Sequence, residues 1–243
     1  MFALVRLLLI VLAPSVPGMA LAAYTVVNPA YAASHASAGQ PRKILLLPPQ
    51  INVAELSAGG VILRQDDWSR QAGENLLRAA EALFRAGGRF ETVPMPRLSA
   101  EESEKLESLI GLYGRIAQAI HMYGSGRGGG WEHKKTAWDY TLGDGLSFLR
   151  EASGADAALV FSGADIISTA SRRTAFAVGL LIGVNVPLGQ SFISAGLIDL
   201  KTGDIRWLSY EQSMTLDSRD PAAVRTLVND LLAPVSQPCD GAC

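Results

Sequence analysis

Side chains that could carry chemistry are few in this chain, and they do not cluster. Two of its three histidines, His121 and His133, lie across a glycine-rich stretch from one another, with Glu132, Asp139 and Asp144 nearby. Imidazole and carboxylate groups of this kind are ordinary zinc ligands, but such sites draw on spacings that place two ligands on one turn or one helix face. The His121–His133 separation is not one of them, so no metal is expected. His121 instead closes an amphipathic segment, where a cation suits the carboxyl end of a helix dipole. The neighbouring carboxylates of Asp66 and Asp67 stand side by side, whereas acid–base pairs must face each other across a substrate. They are expected to cap a helix.

Other motifs fail on context. Gly124-x-Gly126-x-x-Gly129 has the letters of a dinucleotide fingerprint. That motif works only between a strand and a helix whose N-terminus meets the pyrophosphate, and here a helix precedes it. No phosphate loop ending in Gly-Lys-Ser/Thr and no Gly-x-Ser-x-Gly elbow is present. Trp131-Glu-His-Lys-Lys135 with Trp138 and Tyr140 mixes aromatic and basic residues, as single-stranded nucleic-acid grooves do. The formal net charge of -2 gives no polyanion footprint, so no nucleic-acid partner is expected and the tryptophans should dock on the domain itself. Cys239 and Cys243, the only cysteines, could close a short disulfide in an oxidising compartment. A loop so small at a chain end would stabilise little. No catalytic residue and no cofactor are assigned.

The elements that would position these residues begin after an export signal. Arg6 precedes the apolar stretch Leu7–Ala13, which Pro14 and Pro17 interrupt. Small-x-small sites follow at Ala20-Leu21-Ala22 and Ala30-Tyr31-Ala32, so residues 1–32 read as a signal cleaved after 22 or 32, the second being slightly preferred. No cysteine stands near either site to accept a lipid. Residues 33–41 read as a linker, 42–235 as a single domain, and 236–243 as a tail bearing the cysteine pair.

Within the domain, Lys43–Leu47 is a continuous apolar run closed by Pro48 and Pro49, the pattern of a strand buried on both faces. Ser57–Gly60 signals a loop. A helix follows from Asp66 or Asp67 to Gly87-Gly88, then a strand at Phe90–Val93. Ser99 with Glu102 forms a capping-box pattern before a helix ending near Tyr123. Trp138–Ser153 reads as a helix stopped by Gly154, and Ala157–Ile167 as a buried strand. Thr174–Val184 suits a short apolar helix. Ser191–Leu200 and Ile205–Tyr210 form a hairpin about Lys201-Thr-Gly-Asp204. Asp220-Pro221 opens the last helix. The order is β-α-β-α-α-β-α-β-β-α: an α/β fold with helices packed on a mixed β-sheet.

One stretch stands apart: residues 174–198 contain no charged side chain. Pro187 and the glycines argue against one continuous spanning helix. A core helix followed by a strand explains the composition. The sharper expectation is an interaction surface of Arg172, Arg173, Phe176, Leu180, Leu181, Ile182 and Val184, used for self-association or for contact with a membrane or partner.

Leu45-Leu-Leu-Pro-Pro49, Ala54–Gly60 with Asp66-Asp-Trp68, Trp138–Gly143, Gly154-Ala-Asp156 and Asp199-Leu-Lys-Thr-Gly-Asp204-x-x-Trp207 together carry a resemblance. The chain resembles a family of uncharacterised exported bacterial proteins. At fold level it is similar to the group containing the curli-secretion lipoprotein and the lipoproteins that activate penicillin-binding proteins, whose members look like the N-terminal domain of the Tol translocation protein. The resemblance implies a fold and no activity. The expectation is thus a non-enzymatic periplasmic protein, in peripheral contact with the outer membrane, that binds an envelope partner or itself. The alternatives are a periplasmic hydrolase or metal-dependent enzyme and a membrane-associated oligomer of secretion-channel type.

Overall fold

The structure is a computed structural model that describes residues 23–29, 31, 42–88, 90–124 and 137–236. The expected signal core, the linker, the tail with Cys239 and Cys243, and Glu132, His133 and the rest of the 125–136 segment lie outside the described residues. The strands are β1 (Tyr24–Val27), β2 (Arg42–Leu46), β3 (Gln50–Leu56), β4 (Ile62–Arg64), β5 (Phe90–Val93), β6 (Ala157–Ser168), β7 (Ser191–Asp199) and β8 (Ile205–Ser213). The α-helices are α1 (Asp66–Gly87), α2 (Ala100–Ala119), α3 (Ser147–Ser153), α4 (Ala170–Ile182) and α5 (Pro221–Ser236).

The strands form one mixed sheet in the order β1-β8-β7-β6-β2-β5. β6 is the long central strand, and its outer partner is split. β2 runs parallel to its first part, from Ile44 opposite Ala157, and β3 runs parallel to its second, from Gln50 opposite Ser162. Pro48 and Pro49 make the split, because proline has no N–H to continue the ladder. β3 then turns into β4, which pairs antiparallel with it.

β6 explains why its sequence reads as an unbroken apolar run. Ala157, Leu159 and Phe161 face one core, with Leu76, Ala80 and Phe84 of α1 and Val224, Val228 and Leu231 of α5. Ala158 and Val160 face the other, with Leu106, Ile110 and Tyr113 of α2 and with Leu146 and Leu149. Both faces are covered, so there is no polar alternation to see. The result is an α/β/α sandwich.

Local signals behave as the chemistry requires. The Ser99 hydroxyl accepts from the Glu102 amide at 3.2 Å, and the Glu102 carboxylate accepts from the Ser99 amide at 2.8 Å. Gly88, Gly154 and Gly203 have φ of 63°, 68° and 73°, which suits glycine where two helices stop and the β7–β8 hairpin turns. Asp220 Oδ1 accepts from the Ala222 amide at 2.9 Å at the start of α5.

Several expectations are corrected. Three strands join the expected order: β1, β3 and β4. β1 lies within residues 1–32 and pairs with β8. The Ser57–Gly60 loop is the turn of a hairpin. α1 is preceded by Gln65, which makes no side-chain cap. Asp66 and Asp67 instead accept from Arg64 and Arg70 at 2.7 and 3.1 Å, because both already lie in the first turn. Trp138 is not helical: its indole donates to the Ile205 carbonyl at 2.6 Å, and the chain then runs through a 3₁₀ turn at Gly143–Leu146 into α3. The helix expected at Thr174 starts at Ala170, after Thr169, whose hydroxyl accepts from the Arg172 amide at 3.1 Å.

Candidate functional site

α4 connects β6 to β7 at one end of the sheet. Its base is fixed by polar contacts. The Thr169 amide donates to the Leu56 carbonyl at 3.0 Å, tying the helix start to the end of β3. Half-buried Arg172 donates to the Pro187 carbonyl at 2.9 Å and to the Ala58 carbonyl at 3.1 Å. One guanidinium thus holds the helix base, the return loop and the β3–β4 turn together. Gly183, at φ 74°, ends the helix, and the Val184 amide donates to the Gly179 carbonyl at 2.8 Å. Gly179 is the buried residue of α4. A Cβ there would strike the Val184 carbonyl, so the return loop can lie against the helix only over a glycine.

Beyond this base the helix is apolar and open to solvent. Leu180, Leu181 and Ile182 are 64%, 85% and 69% exposed, and Val178 and Val184 are also exposed. The residues expected to form an interaction surface therefore divide. Leu180, Leu181, Ile182 and Val184 are presented together, Arg173 is exposed, Phe176 is half-buried, and Arg172 is a brace. Reading the sequence missed Val61, Ile62 and Leu63, which are exposed on and beside β4. They lie at the same end of the sheet, since Leu56, opposite Ile62, also pairs with Ser168 just before α4. The signal that could have found them is the apolar run Val61-Ile62-Leu63 directly after a Gly-Gly turn.

A second feature is a polar cleft of about 700 Å³ between α2 and the far half of the sheet. Gln50, Asn52, Arg115, Gln118, Ser162, Ser194 and Gln212 line it with His121 and Phe192, and among the described residues no carboxylate does. His121 packs against the rings of Tyr210 and Phe192, with centroids 4.1 and 5.0 Å away. Such a lining can donate and accept hydrogen bonds. Among the described residues, no three of His, Cys, Asp and Glu converge as metal ligands. A smaller cleft of about 510 Å³ by Pro48, Met95, Leu98 and Leu106 is mainly apolar.

Two carboxyl groups, Asp165 and Glu211, are shifted upward. Asp165 of β6 is buried and accepts from the Ser218 amide at 2.9 Å. Burial raises its pKa above the ordinary carboxylate range. Glu211 of β8 is pushed up to about 7 by burial and by the charge of Asp230 on α5. Asp199 accepts from Arg206, and Asp217 from Arg219 at 2.7 Å; both are held below the ordinary range, Asp217 chiefly by Arg219 and Asp199 by Arg206 against the opposing effect of burial. None of these groups lines the polar cleft.

No protein-family model and no curated protein matches the chain. Solved structures do. A variant PelC dodecamer from Paraburkholderia phytofirmans aligns with a TM-score of 0.40 and 12% identity, over 89% of this chain and 98% of that one. A second PelC dodecamer from the same organism aligns at 0.37 and 13%, with the same coverage. Lipoprotein GNA1162 from Neisseria meningitidis aligns at 0.32 and 11%, over 82% of this chain and 99% of that one. Likeness at this level transfers neither an activity nor a partner. Among the described residues, no helix is long and apolar enough to cross a membrane.

Proposed function

We propose that this chain is an exported, non-enzymatic envelope protein that self-associates through the apolar end of its sheet. The observation that carries this reading is the joint exposure of Leu180, Leu181, Ile182 and Val184 on α4 with Val61, Ile62 and Leu63 at β4. A second copy is favoured as the occupant because the patch offers two complementary parts. α4 presents an apolar stretch that is uncharged from Thr174 onward, and β4 presents a short strand that among the described residues pairs only with β3. The export pattern around Arg6 and Leu7–Ala13, and the resemblance to exported envelope proteins, support the location.

Sedimentation equilibrium of the purified chain tests the reading. The average mass is expected to rise with concentration, and Leu181→Asp with Ile182→Asp should return it to that of one chain while the circular dichroism spectrum stays unchanged. A wild-type chain that remains monomeric at every concentration would refute self-association.

A further inference from the structure

We infer that the export signal is removed after Ala22, so that the mature protein begins at Ala23 and β1 is its first element. This rests on the export reading above and decides between the two sites that reading leaves open. Both Ala20-Leu21-Ala22 and Ala30-Tyr31-Ala32 present small residues at the two positions a signal peptidase inspects. Residue types alone cannot separate them.

The fold separates them, because Tyr24–Val27 between the two sites form a strand of the sheet and Tyr31 is buried in its core. β1 pairs antiparallel with β8, from Tyr24 opposite Tyr210 to Val27 opposite Trp207. The pairing continues into the Asn28 amide, which donates to the Arg206 carbonyl at 2.9 Å. The Thr25 hydroxyl donates to that of Ser209 at 3.1 Å. Side chains of β1 alternate between the two cores. Val27 packs on the core under α1 and α5, and Val26 on the core under α2. Tyr31 is 5% exposed within the first of these cores, and the Arg206 guanidinium lies 5.5 Å from its ring centre.

Cleavage after Ala32 would remove all of this. The outer edge of β8 would lose its partner, and Trp207, Leu208 and Ser209, now fully buried, would lose cover on that side. A residue discarded with the signal has no reason to fit alternately into two cores. Leader length agrees: Ala22 falls within the roughly 15–30 residues of such signals, and Ala32 lies beyond them.

The test uses the full chain expressed in a bacterium with general secretion, with the exported protein identified by intact mass and N-terminal sequencing. The expected N-terminus is Ala23. Ala22→Phe should accumulate uncleaved precursor, whereas Ala32→Phe should be processed like the wild type. A product starting at Ala33 would overturn the inference and leave the export reading standing. A chain kept whole in the cytoplasm would overturn the export reading itself. A second measurement does not depend on where the enzyme cuts. Val27→Asp in the exported protein should lower Tm by several degrees, and an unchanged Tm would show that β1 is absent from the mature fold.

Discussion

Glu211 gives the molecule a pH dependence of a definite sign. Its carboxyl ionises near 4.5 when free and near 7 in the fold. Between those values the folded state keeps a proton that the unfolded state has released. Stability from this group is therefore full below about pH 4.5 and is lost as pH rises towards 7. The depressed groups, Asp199 and Asp217, act in the opposite sense and only at acidic pH, below the usual carboxylate value. Denaturant unfolding between pH 5 and 8 should show stability falling with pH, and Glu211→Gln should flatten that slope. At pH 8 the variant should be more stable by about 1 kcal/mol, after allowance for solvent screening. A glycine offers a second test at this scale. Gly203→Ala would force φ 73° on a residue with a Cβ and drive that atom into the Gly143 carbonyl. It should cost roughly 1–3 kcal/mol in the same unfolding measurement. These two residues differ in how readily they could be read. Gly203 stands in Asp199-Leu-Lys-Thr-Gly-Asp204, where turn chemistry is local. Glu211 looks like any exposed strand glutamate until Asp230 of α5, distant in sequence, is brought to it.

Elements were legible where their signals are local and illegible where they depend on neighbours. The capping box at Ser99 is a local signal, and Ser99→Ala should destabilise the protein by about 1 kcal/mol in thermal or denaturant unfolding. β1 was hidden because its small and apolar residues match the composition of a signal segment. β3 was hidden because Pro48-Pro49 before it and Ser57–Gly60 after it read as loop boundaries, although Ile51 and Val53 alternate inward across Asn52. α4 is legible in the sequence as an apolar helix from Thr174, but its first turn, Ala170–Arg173, is polar and is held by Thr169. Its attachment depends on Arg172, which reaches two carbonyls from separate segments. Arg172→Ala should therefore speed amide hydrogen exchange in α4 and its return loop while leaving β6 and α5 protected.

At the scale of the whole molecule, the sheet is well covered through most of its length, and apolar side chains are left open at one end. The uncharged composition of residues 174–198 pointed to this surface. It could not show that Arg172 is a brace, that Phe176 is half-buried, or that Val61–Leu63 of a distant hairpin are exposed at the same end of the sheet, because those depend on the pairing of β3 with β6. Self-association through this end is the central claim, and contact at Leu181 tests it most directly. A photoreactive phenylalanine analogue placed at position 181 of the full chain, irradiated in cells and then in purified protein, should yield a covalent dimer of the chain. Its crosslink should map to residues 61–64 or 170–184 of the second copy. Capture of lipid or of a different protein in place of the chain itself, or no capture at all, would contradict the account.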